Sequence, residues 1–160
     1  MKISTVRYYL HNYEMLKADI EALKQTIEEL KVCDVPFKIP CAADADGSQH
    51  NPATTSPTEQ AAIEMAETST AYKRELIYKR TILFCIDEII RYLPRHPADD
   101  TDYQIIERRY FLKDRAGQTQ KWVSIAFDLH YNPDSLMRKE RKIVREIAEL
   151  IALKIPKLLK

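Results

Sequence analysis

The side chains with the most definite chemistry in this sequence cluster near its C-terminal end. Asp134, Ser135, Met137, Arg138, Arg141 and Lys142 follow directly on an Asn132-Pro133 pair. Asn is favoured at a helix N-cap, where its side chain accepts from an orphan backbone N–H, and Pro is favoured at the next position, where it has no N–H to lose. The spacing therefore predicts that all six side chains ride on the first turns of one helix. That set suits the edges of base pairs: Arg can fork onto guanine, an acid can accept from cytosine N4, and Met can meet a thymine methyl. Asp134, Ser135, Met137 and Arg138 are the candidate groove contacts. Arg141, Lys142, Lys121 and Arg115 are the candidate phosphate contacts, which set affinity and register but not sequence. The plain alternative is a solvated basic face on an amphipathic helix.

Other chemistries find little support. Only two glycines occur, Gly47 and Gly117, so there is no Gly-rich phosphate loop. The four histidines fall in different segments, and no Ser/His/Asp, Cys/His or paired-carboxylate pattern has useful spacing, so no enzyme and no cofactor are expected. Cys33, Cys41 and His50 match no zinc spacing, and three cysteines make no disulfide framework. No run is apolar enough to span a membrane and no secretory signal opens the chain, so a cytoplasmic protein is expected. The net charge of +1 is unevenly spread. Residues 1–32 sum to 0, residues 33–104 to −5 and residues 105–160 to +6. A basic C-terminal third is the footprint of a nucleic-acid-binding part or, again, of a solvated face.

The elements that must position the basic cluster are helical. Trp122, Val123, Ile125, Ala126 and Leu129 predict a short helix with one apolar face, His130 and Tyr131 a turn, and Leu136, Ile143, Ile147 and Ile151 the buried stripe of the second helix. Trp122, Ile125, Ala126, Leu129 and Leu136 are its expected core. Upstream, Asp99, Asp100, Thr101 and Asp102 supply acidic caps for a helix over Tyr103 to Leu112, burying Ile105, Ile106, Tyr110 and Phe111. A helix-turn-helix unit over 99–155 follows.

The N-terminal part reads differently. Over 1–32, Val6, Tyr9, Tyr13, Leu16, Ile20, Leu23, Ile27 and Leu30 form an unbroken heptad. One long helix over 4–32 is expected, either pairing as a homodimer through residues 6–30, with Asp19 meeting Lys24 of a partner, or packing inside its own chain. Residues 33–56, rich in Pro and small polar residues, read as a flexible loop. Ser56-Pro57-Thr58-Glu59 is a capping box that restarts helix over 57–93, ended by Pro94. Lys79 interrupts the stripe of that helix and predicts a partly wet seam. The fold class expected is all-α: a long N-terminal coiled-coil-like arm over 1–93, and a separate C-terminal helix-turn-helix bundle.

The run IIERRYF followed by KWVSIAFDLHYNPDSLMRKERKIVREIA resembles region 4 of sigma-70-type factors. It is more similar still to the small phage and prophage regulators of the RinA and ArpU type, which share the order of heptad helix, low-complexity loop, long middle helix and Trp-initiated helix-turn-helix. Motif-level detail is confined to residues 103–150. His130 stands where such turns carry Gly, and positive φ is more accessible to His than to most residues. The resemblance implies a sequence-specific DNA-binding transcriptional regulator, an activator of phage genes working in the bacterial host cytoplasm, with double-stranded DNA as partner. Two alternatives remain: a packaging component such as a small terminase subunit, and a sigma-like module that binds RNA polymerase.

Overall fold

The computed structural model describes residues 1–33, 57–93, 101–113 and 118–155. The chain is all-α. Its helices are α1 (Ile3–His11), α2 (Tyr13–Cys33), α3 (Pro57–Tyr92), α4 (Thr101–Ile106, continued by a π-helical turn over Glu107–Phe111), α5 (Trp122–Leu129) and α6 (Pro133–Lys154). Among the described residues there is no β-strand, only an isolated antiparallel bridge between Lys113 and Thr119. No described helix is long and apolar enough to cross a membrane. Most of the 33–56 segment, the loop residue Arg115, and Cys41 and His50 of the cysteine–histidine trio lie outside the described residues.

The heptad does not run as one helix. It breaks at Asn12, whose backbone sits at φ −109°, ψ 31°. Asn12 donates twice to the Tyr8 carbonyl, through its N–H at 3.0 Å and its side-chain Nδ2 at 2.9 Å. A side chain that bonds a backbone carbonyl in this way is a recognised source of helix kinks.

The kink separates the two partners of the heptad. Beyond it, α2 lies antiparallel against α3: Tyr13 donates to Asp87 at 2.5 Å, Lys79 reaches Asp19 at 2.9 Å, and Leu30 lies beside Met65 and Ser69. Before it, α1 leans on α6 and on the π turn. Val6, Leu16, Ile20 and Ile27 are all buried within the chain. The stripe read as a candidate dimer seam is thus occupied internally. Asp19, matched above to Lys24 of a second chain, instead pairs with Lys79 of α3, while Lys24 pairs with Glu21. Lys79 is the wet point its sequence position suggested, held between Asp19 and Glu75.

One core joins both ends of the chain. Val6 and Leu10 of α1, Ile82 and Ile86 of α3, Ile106 and Tyr110 of the α4 segment, and Ile143, Ile147 and Ile151 of α6 form a single cluster. The expected division into an arm and a separate C-terminal unit is therefore corrected. Burying an Ile or Leu contributes about 1.5–3 kcal/mol, and α6 buries Leu136, Ile143, Ile147 and Ile151 to 2 % exposure or less. Among the described residues its cover comes from α1, α3, α4 and α5, so parting the helix from the N-terminal half exposes part of that apolar face.

Candidate nucleic-acid interface

Local sequence accounts for how α6 is presented. α5 ends on His130 at φ 55°, ψ 38°, the only positive-φ non-Gly residue among those described. The left-handed residue lets its N–H bond Phe127 O at 3.3 Å and the Tyr131 N–H bond Ala126 O at 3.0 Å, closing the helix end. Asn132 then caps α6, its Oδ1 accepting from Asp134 N at 2.8 Å, with Pro133 at the first position. Ile125 and Ala126 of α5 pack on Leu136 of α6 and Ile105 of α4, with Trp122 and Leu129 partly buried around them. Trp122, expected in the core, is half-buried because it covers the rim of this cluster and carries the Arg109 guanidinium on its ring at 5.1 Å.

The helix turns Leu136, Ile143 and Ile147 inward and leaves Asp134, Ser135, Arg138, Arg141, Lys142 and Arg145 exposed on the opposite side. Arg138, Arg141, Lys142 and Arg145 have no ion pair or hydrogen bond among the described residues. Arg145 joins the candidate set by the same helical phase. Lys121 is exposed at the N-cap of α5, beside Trp122. Met137 does not share the open face. It is half-buried and lines the cleft toward α1, together with Arg7 and His11, because its position on the helix circumference falls on the flank. Lys139 takes the other flank, paired with Asp102 at 3.1 Å and lying over the Tyr131 ring.

The residue that sequence reasoning overlooked is Glu140. It is 1 % exposed, in phase with Leu136, Ile143 and Ile147. Both carboxylate oxygens are engaged: Arg7 donates from Nε at 2.8 Å and from Nη2 at 2.7 Å, and the Tyr110 hydroxyl donates to the same group. A bidentate Arg–carboxylate pair with a third donor is the condition under which a buried acid is tolerated. The hydrogen bond to Glu140 holds the Arg7 guanidinium above its ordinary pKa. Burial first, then Glu140, raises the Tyr110 phenol. The missing signal was available: the apolar stripe Leu136–Ile143–Ile147 skips the position that Glu140 fills.

The π turn aims the neighbouring groups. Leu112 N bonds Glu107 O, five residues back, at 2.8 Å. The wider turn lets Tyr110 face Glu140 while Arg109 faces α5, where its Nη1 donates to Gln120 O at 2.5 Å. Arg108 pairs with Asp128 of α5 at 2.7 Å. His11 packs edge-on to Tyr110 at 4.6 Å, and burial, reinforced by Arg109, lowers its pKa.

The arrangement presents a capped helix with an acid and a hydroxyl at its tip and four unpaired cations along its open side. Comparison with protein-family models, with curated proteins and with solved structures finds no match to the chain.

Proposed function

We propose that the chain is a sequence-specific DNA-binding transcriptional regulator of phage or prophage origin, in which α6 enters the major groove. The observation that carries this reading is the open face of α6: Arg138, Arg141, Lys142 and Arg145 lie exposed and none of them forms an ion pair among the described residues. On the solvated face of α2 the cations are ion-paired with acids three residues away, Lys17–Glu14, Lys24–Glu21 and Lys31–Glu28, whereas on α6 Asp134, Glu146 and Glu149 stand four residues from Arg138, Lys142 and Arg145 and form no ion pair with them. Asp134 and Ser135 sit at the capped tip, where groove-entering helices make base contacts. The resemblance of residues 103–150 to sigma region 4 and to RinA- and ArpU-type regulators supports the same reading.

One observation favours a second reading, a unit that docks on protein such as RNA polymerase or a packaging partner. Val123 and Phe127 of α5 are 71 % and 79 % exposed, one helical turn apart on the outer side.

Equilibrium binding to duplexes selected from a random pool separates the two. Arg138→Ala is expected to cost roughly 1–3 kcal/mol on the selected sequence and little on random DNA. Lys142→Ala is expected to weaken binding to all duplexes alike and to lower the salt slope by about one unit. Asp134→Asn should change the base preferred at one position. If no duplex is retained at low salt from any pool, the groove reading is wrong and the protein-docking alternative gains.

A further inference from the structure

A cleft of about 180 Å³ opens between α1, the π turn and α6. Three guanidiniums line it, Arg7, Arg109 and Arg141, against one carboxylate, Glu140, with His11 and the Trp122 ring among the other lining groups. Glu140 is already consumed by Arg7 and Tyr110. Arg109 has no carboxylate partner among the described residues: it lies over the Trp122 ring and donates to Gln120 O. Arg141 has no partner there at all. The cleft therefore concentrates unneutralised positive charge in a partly enclosed site, where Arg109, held by its bond to Gln120 O, offers forked N–H donors to a tetrahedral oxyanion and the exposed, unpartnered Arg141 can swing onto the same group.

We propose that this cleft takes one backbone phosphate of duplex DNA, gripped by Arg109 and Arg141, with α1 contributing Arg7 and His11 to the site. The N-terminal helix is then part of the DNA-binding surface. The choice of a phosphodiester over a free anion follows from continuity: Arg141 belongs both to the cleft and to the open face of α6, so a strand bordering a groove occupied by α6 passes the cleft mouth. The proposal rests on the groove reading of α6.

The test uses the full chain and a selected duplex carrying a single neutral methylphosphonate at each backbone position in turn. One position is expected to weaken wild-type binding about tenfold or more, the loss of one charge-assisted contact, and to have no effect on Arg109→Gln. Arg109→Gln, Arg141→Gln and the double variant should each lower the salt slope by about one unit, because the two side chains share one phosphate. The His11 ring resonances should shift on binding the unmodified duplex and not on binding the duplex neutralised at that position. If Arg109→Gln fails to fold, Arg141→Gln, at an exposed position, carries the same coupling. Tight duplex binding with no position coupled to either arginine overturns the cleft while leaving the groove reading intact. A double variant that lowers the slope by two units overturns the shared site. If inorganic phosphate moves His11 and no duplex binds, the site belongs to a free anion and both readings fall.

Discussion

Arg7→Ala is the perturbation that best probes how the N-terminal helix is tied to α6. It removes both charge-assisted bonds to Glu140 and leaves that carboxylate, 1 % exposed, with only the Tyr110 hydroxyl. Deleting one partner of a fully buried pair costs roughly 3–5 kcal/mol, because the remaining charge is desolvated and unpaired. The Arg7 side chain is 38 % exposed, so water enters the vacated space and the cost falls to about 2–3 kcal/mol. For a chain of this size each kcal/mol moves Tm by about 2–4 °C, giving an expected drop of about 5–10 °C by circular dichroism. Glu140→Gln keeps the shape and removes the charge, so Arg7→Ala should cost about 1–2 kcal/mol less in that background than in the wild type. Hydrogen exchange should place the added opening in α1. A drop in Tm below about 2 °C, or equal costs in the two backgrounds, would refute the claim that Arg7 and Glu140 act as one buried unit.

Three further outcomes follow, two from local geometry and one from titration. At the turn, Asn132→Ala should destabilise by about 1 kcal/mol through loss of the cap, and His130→Val by about 1–2 kcal/mol because a β-branched residue resists φ near 55°; if urea unfolding finds His130→Val neutral, the left-handed conformation is not required. His11 is held below its ordinary pKa by burial and by Arg109, so the unfolded chain takes the proton first. Its contribution to stability is fully present above about pH 6.5 and is lost as the pH falls through that value toward the lower folded pKa; urea midpoints between pH 8 and 5 should show a smaller fall in His11→Gln than in the wild type, and identical profiles would contradict the assignment.

Local chemistry made the C-terminal elements legible from sequence alone. The Asn132-Pro133 pair, the apolar phase of Leu136 and Ile143, and the run Trp122 to Leu129 each act within a turn or two of chain, and the structure places α5, the turn and α6 at those positions. Apolar periodicity likewise determined that the fold is helical, and the order of charges along the chain that the basic residues gather after residue 105. Where a stripe packs is a different kind of question, because a heptad specifies an apolar face but not its partner. Only the tertiary structure assigned that partner, directing Leu16 and Ile20 to α3 and, past the Asn12 kink, Val6 and Leu10 to the core shared with α6. The same holds for Glu140, whose type predicts solvent and whose burial depends on Arg7, 133 positions away. It holds for Arg109 and Arg141 too: as sequence they are two cations among thirteen in the last third of the chain, and they face one cleft only because the π turn and α6 are packed against α1. Capping and periodicity are short-range and readable along the chain, whereas the pairing of faces and charges is set by which surfaces can be buried together.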